Sequence, residues 1–131
     1  MNHAAESIAT ILSECRTIAV VGFSANPERP SHGVAQYLQR HGYRIVPVNP
    51  GLGGTQQLGE TCYATLREAD EAIRKEGGQI EIVDCFRRSE TIEPIADDAI
   101  AIGARCLWMQ IGVVNEKAAE KARAAGLAVV M

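Results

Sequence analysis

Few side chains in this sequence could do acid–base or nucleophilic chemistry: three histidines and four cysteines in 131 residues. An enzyme needs an activated nucleophile or a poised acid–base pair. His32, directly after Ser31 at the start of a helical pattern, is the best-placed candidate, with capping, stacking or plain hydrogen bonding as the competing reading. His41 falls at the end of that pattern, where an imidazolium suits the helix dipole, and reads as structural. His3 lies in a terminus expected to fray. Cys15, Cys62, Cys85 and Cys106 form no C-x-x-C pair and have no histidine at ligand spacing, so neither zinc nor a disulfide framework is expected. Cys85 and Cys106 sit in apolar runs and read as small buried hydrophobes, whereas Cys62, in a loop, is the thiol to test for reactivity. Asp84 lies in a strand-like run where burial demands a partner, with Arg105 and Thr61 as candidates. Tyr37 and Trp108 read as core. No residue is assigned a catalytic role and no metal is expected.

A stronger signal is Ile18-Ala-Val-Val-Gly-Phe-Ser24, a β-branched run that stops at a glycine and a small hydroxyl residue. A helix signal follows, with Ser31 ahead of Val34, Tyr37 and Leu38. A buried parallel strand leading through such a loop into a helix exposes main-chain N–H groups at its carboxyl end. Together with the positive end of the helix dipole they make a site for a pyrophosphate. The amides of Gly22, Phe23 and Ser24 are therefore expected to hold a nucleotide-type ligand.

These residues need a scaffold, and the rest of the chain supplies one. Ile8, Ile11, Leu12 and Cys15 mark an amphipathic opening helix. Strands are expected at about 17–23, 43–49, 80–86, 106–111 and 127–130. Helices are expected from Ser31 to a stop at Gly42, over about 64–76 before Gly77-Gly78, from Ser89–Glu93 to Gly103, and from an Asn115 N-cap to Gly126. Pro94 fits only a first helical turn. Gly51–Gly59 is read as a glycine-rich loop too poor in apolar residues to pack. Strand–helix alternation with short turns gives a three-layer αβα Rossmann-like domain, with a five-stranded, mostly parallel sheet and one domain over 1–131. Right-handed crossovers then bring Phe23-Ser24, Asn49-Pro50, Phe86-Arg87 and Gln110-Gly112 to one edge of the sheet.

Bulk properties narrow the ligand. A formal charge of -3 argues against nucleic acid. No apolar run approaches the roughly 20 residues of a membrane span, and the start lacks a signal peptide's basic and apolar regions, so a cytoplasmic protein is expected. NAD is disfavoured because Gly22-Phe-Ser-Ala-Asn-Pro27 is not G-x-G-x-x-G. In addition, Val48-Asn49-Pro50 stands where NAD proteins place an acid on the ribose hydroxyls. A site without that carboxylate suits a ribose carrying a phosphate. Positive charge is offered by Arg29, Arg44 and the Arg87-Arg88 pair; Arg87 or Arg88 could grip a phosphate in two-pronged fashion, and its place at a strand's carboxyl end favours Arg87. Surface pairing of Arg87 and Arg88 with Glu90 or Glu93 is the competing reading.

The combination of Gly22-Phe-Ser, Arg29-Pro-Ser31, Gly42-Tyr with Pro47-Val-Asn-Pro50, Gly59-Glu-Thr, Phe86-Arg-Arg-Ser-Glu90, Trp108-Met-Gln-Ile-Gly112 and Val129-Val-Met131 resembles the small, single-domain CoA-binding proteins. The resemblance runs from about residue 17 to 131. It implies a fold similar to the CoA-binding domain of the succinyl-CoA synthetase alpha subunit, with coenzyme A across the carboxyl edge of the sheet. The diphosphate would rest on Gly22, Phe23, Ser24 and the helix at Ser31 beside Arg29. The adenine and ribose phosphate would lie at Val48, Asn49 and Pro50, with the pantetheine arm near Phe86 and Gln110, and Arg87 on a phosphate. That synthetase carries its phosphorylated histidine in a second domain, so the resemblance transfers the ligand and not the reaction. The expected function is a non-catalytic CoA or acyl-CoA binding module. The alternatives are an enzyme acting on a CoA thioester through His32 or Cys62, and a NAD or sugar-nucleotide binder.

Overall fold

The computed structural model describes residues 8–110 and 112–131. A short helix, α1 (Ile8–Glu14), precedes β1 (Thr17–Val21), α2 (Pro30–Arg40) and β2 (Arg44–Val48). A small hairpin of β3 (Gln56–Gln57) and β4 (Glu60–Thr61) follows, then α3 (Leu66–Lys75), β5 (Ile82–Cys85), α4 (Ile92–Ala101), β6 (Cys106–Met109), α5 (Glu116–Ala124) and β7 (Ala128–Val130). The main sheet has the order β2-β1-β5-β6-β7 and is parallel throughout.

Alternation along each strand divides the core in two. Ala19, Val21, Val46, Val83, Leu107 and Met109 face α3, α4 and α5, whose buried contacts include Ala69, Ala96, Ala99, Ala118, Ala119 and Ala122. Such small side chains let helices lie close to the sheet and to each other. The opposite residues Ile18, Val20, Ile45, Ile82 and Cys106 pack under α1 and α2 against Ile11, Cys15 and Ala35. Successive crossovers leave β1 in opposite directions, toward β2 and, by way of α3, toward β5. The topological switch therefore lies between the carboxyl ends of β1 and β5, where open α/β sheets form their ligand crevice.

Helix ends follow the local chemistry that the sequence carries. Thr65 caps α3 through Glu68 N–H, and Asn115 caps α5 through Ala118 N–H. Gly42, Gly77, Gly103 and Gly126 take positive φ just past the ends of their helices. Two expectations need correction. The 51–59 segment is not an unpacked loop. Leu58 and Gly59 take φ of 52° and 78°, turning β3 back on β4, and Leu52 and Leu58 pack half-buried against the apolar layer beneath α2. Gln39 Nε2 donates to Leu58 O at 2.9 Å, fastening this hairpin to α2. Tyr37 is not core: it is 53% exposed, its ring 4.1 Å from that of His41. No helix among the described residues is long and apolar enough to cross a membrane.

Candidate functional site

The loops after β1, β2, β5 and β6 enclose an open crevice of about 790 Å³. Gly22, Phe23, Ser24, Arg29, Ser31, Asn49, Phe86, Arg87 and Gln110 line it, so the expected convergence at the carboxyl edge is present. Val48 and Pro50 lie instead in an adjoining recess of about 370 Å³, walled by Ala64, Thr65, Leu66, Thr91 and Ile95. Arg87 lines both spaces and so stands between them. Arg88 and Val113 also line the crevice. Arg88 was legible as half of a dibasic pair, but Val113 carries no local signal.

The first loop is built differently from the expectation. Gly22 N–H and Phe23 N–H both donate to Val48 O, at 2.9 and 3.2 Å, and Ser24 N–H donates to Ser31 Oγ at 2.9 Å. The three amides read as open to a diphosphate are thus engaged within the protein. Ala25 N–H and Ser31 N–H, by contrast, make no hydrogen bond to a described residue. They stand in the loop and in the first turn of α2, where the helix dipole favours an anion.

Gly22 is glycine for an internal reason. Its φ is +89°, and a Cβ there would stand 2.4 Å from Phe86 O and 3.3 Å from Arg87 Cδ. The glycine lets the end of β1 pass the chain leaving β5, and the aliphatic stem of Arg87 lies over it. Phe23 contributes main chain only, since its side chain is fully buried in the layer beneath α2. Asn49 positions the loops: its Nδ2 donates to Phe23 O at 2.7 Å and its Oδ1 accepts from Gly51 N–H at 2.8 Å.

Charge at the crevice is positive. Arg87 is half-buried and has no ion pair to a described residue, and Arg29 is exposed at the N-cap of α2. Arg88 pairs only loosely with Glu90, at 3.9 Å between largely exposed groups, an arrangement worth little in water. No described residue lining the crevice is acidic. Arg44 does not belong to this field. It begins β2, at the opposite edge of the sheet, and pairs with Glu76 at 2.7 Å and Glu60 at 3.4 Å. The Glu76 bond, above all, raises its pKa further.

The candidates for chemistry disperse. His32 is buried with its ring centroid 5.5 Å from that of Phe23, and it does not line the crevice. Its Nδ1 has no hydrogen-bond partner among the described residues. His41 Nδ1 bonds Tyr37 O at 2.8 Å, the helix-end role expected for it, and His3 lies outside the described residues. All four cysteines are buried. Cys62, the thiol singled out for a reactivity test, is 1% exposed, and burial raises its pKa. Asp84 is 5% exposed and is met by neither Arg105 nor Thr61. Arg105 pairs with Glu14 at 2.5 Å, and Gln110 Nε2 donates to Asp84 Oδ1. Burial pushes the Asp84 carboxyl up to about 7, the Gln110 bond opposing it. Among the described residues no group of histidines, cysteines and acids could hold a metal ion.

Comparison with known proteins gives one consistent answer. YneT, an uncharacterized protein of Bacillus subtilis, is 38% identical over 130 residues, 99% of this chain and 90% of that protein. A hypothetical protein from Pyrococcus horikoshii has a structure that superposes with a TM-score of 0.84 at 34% identity, covering 99% of this chain and 87% of the other. A Thermus thermophilus protein superposes with a TM-score of 0.83 at 32% identity, covering 99% and 90%. The family model described as a CoA binding domain matches residues 16–131, and this chain, with its parallel sheet and its cationic crevice at the strand ends, belongs to that family.

Proposed function

We propose that this protein binds coenzyme A or an acyl-CoA as a non-catalytic binding or regulatory module, working in the cytoplasm on a small molecule rather than on nucleic acid or a membrane. The observation that carries the reading is the crevice at the β1/β5 switch, where Arg29, Arg87 and Arg88 meet the amino end of α2 with no acid among the lining residues. A ligand with a diphosphate and a ribose phosphate matches that field, whereas NAD would find no carboxylate at the end of β2. In this reading the diphosphate lies on Ala25 and Ser31 N–H beside Arg29. The adenine enters the recess of Val48, Pro50, Leu66 and Ile95, and Arg87 between the two spaces takes the ribose phosphate. The pantetheine arm then runs past Phe86 to Gln110.

Calorimetric titration with CoA, dephospho-CoA and NAD in parallel tests this. CoA should bind at micromolar affinity or better, dephospho-CoA at least tenfold more weakly, and NAD weakest. Acyl-CoA incubated with the protein should be recovered intact. Binding of NAD in preference to CoA would overturn the reading.

A further inference from the structure

Val34 and Gln110 line the crevice and also a second, narrower recess of about 140 Å³ on the α1/α2 side of the sheet. Its floor is Ile18 of β1 and Ile82 of β5, and its walls are Leu12 of α1, Leu38 of α2 and Trp108 of β6. Among its lining residues only Asp84 is ionisable, and Gln110 Nε2 bonds it. We propose that this recess receives a short, saturated acyl chain carried on CoA, with the thioester at Gln110 and the hydrocarbon between Val34 and Trp108. The proposal deepens the CoA reading and rests on it, because it needs the pantetheine arm to end at Gln110.

Three observations support it. The two spaces share Val34 and Gln110 in their linings, so the recess adjoins the crevice at the point where the arm would end. The size is selective, since an apolar cavity of about 150 Å³ takes up benzene, which sets a ceiling of about six carbons. The polar end is selective too. Burial keeps the Asp84 carboxyl largely uncharged below neutral pH, where it can donate a hydrogen bond to a thioester carbonyl. A chain ending in its own carboxylate would instead meet a carboxyl group in apolar surroundings, where a second negative charge is costly. Short alkanoyl-CoA, straight or branched, is therefore favoured over succinyl-CoA.

Calorimetry with CoA, acetyl-, butyryl-, 3-methylbutyryl-, octanoyl- and succinyl-CoA decides the matter, with emission of Trp108, the single tryptophan, as a local reporter. Each buried methylene should tighten binding about fourfold, so butyryl-CoA should exceed acetyl-CoA by about tenfold or more. Octanoyl-CoA should gain nothing further, and succinyl-CoA should bind at least tenfold more weakly than butyryl-CoA. Butyryl-CoA should shift Trp108 emission where CoA does not. Leu38→Trp, at a half-exposed position of α2, should remove the chain-length gain and leave CoA affinity unchanged. If Leu38→Trp fails to fold, the wild-type series decides alone. CoA binding with equal affinities across the series, or a gain that survives Leu38→Trp, would overturn the acyl recess and leave the CoA reading standing. No binding of CoA at all would overturn both.

Discussion

Replacing Asp84 by asparagine keeps the shape of the side chain and removes its ability to ionise, which makes it a direct measure of what this buried acid costs the fold. The carboxyl lies in the centre of β5, with Val20 and Trp108 beside it in register on β1 and β6. Toward α1 and α2 it faces Leu12, Val34 and Leu38. No other ionisable residue lines this space, and the one side-chain bond acting on the carboxyl is that from Gln110. Desolvation therefore dominates and raises the pKa from 3.8 to about 7. In the unfolded chain the group ionises above pH 4, whereas in the folded protein it keeps its proton to about neutrality. Between those values the folded state binds more protons, so stability falls as pH rises from about 4 to about 7 and levels off above. At about 1.36 kcal/mol per tenfold in proton affinity, the full loss is about 4 kcal/mol, and about 2–3 kcal/mol of it falls between pH 5 and 8.

Urea denaturation of the wild type and Asp84→Asn at pH 5, 6, 7 and 8 reads this out, and the difference between the two proteins cancels every other titrating group. The asparagine variant should gain on the wild type by about 2–3 kcal/mol between pH 5 and pH 8 and be the more stable protein at pH 8. Gln110 Nε2 can donate to an amide oxygen as it does to the carboxyl, and any cost of burying the new Nδ2 donors is independent of pH and leaves the slope unchanged. A stability difference independent of pH would refute the reasoning.

The internal role of Gly22 is checked against Gly42, which has nearly the same φ, +90°, and nothing within 4 Å of a Cβ. In urea denaturation Gly42→Ala should cost about 1 kcal/mol from the backbone alone, and Gly22→Ala at least about 2 kcal/mol more from the contact with Phe86 O; equal losses would refute the assignment. Arg87→Ala should weaken CoA binding by tenfold to a hundredfold, the loss of a charge-assisted bond of about 1.5–3 kcal/mol, while Arg44→Ala leaves it unchanged; calorimetry showing the reverse order would move the phosphate site. None of the four thiols should react with an aromatic disulfide reagent in the native protein, and rapid labelling of Cys62 would contradict its burial.

The parallel sheet was legible because short apolar runs alternate with helical patterns, and α2, α3, α4 and α5 each end just before a glycine, at Gly42, Gly77, Gly103 and Gly126. The convergence of the strand ends on one crevice then followed from crossover handedness. What escaped the sequence was set by contacts between distant loops. Gly22 looked like a place for a ligand to approach, and the group that approaches is the carbonyl of Phe86. Asp84 was known to need a partner, but Gln110 stands 26 positions on and is brought to it only by the pairing of β5 with β6. The β3–β4 hairpin lacks an Asn-Gly or Asp-Gly signal and turns on Leu58-Gly59, with apolar content supplied by two leucines that seemed too few. Tyr37 fits the helical period but lies on its exposed margin, where a tilted contact with the His41 ring replaces burial.

The hydrogen bonds of the strand-end loops explain how an exposed site keeps its shape. Val48 O accepts from Gly22 and Phe23, Asn49 donates to Phe23 O, and Phe86 N–H donates to Val21 O. Asn115 Nδ2 donates to Ser89 O, and Ser89 Oγ accepts from Val114 N–H. Each bond joins the loop of one strand to that of another, so the floor is fixed before any ligand arrives and binding need not spend free energy ordering it. The cost is that the amides of Gly22, Phe23 and Ser24 are no longer free for an anion. In the proposed CoA reading, recognition would fall to Ala25 and Ser31 N–H and to the arginines at the rim. Arg29 and Arg88 reach into solvent, where salt screens them, while Arg87, half-buried with its stem over Gly22, is screened less. Under the proposed CoA reading the work would be divided: the cross-bonded main chain would set where the ligand lies, and Arg87 would decide how tightly it is held.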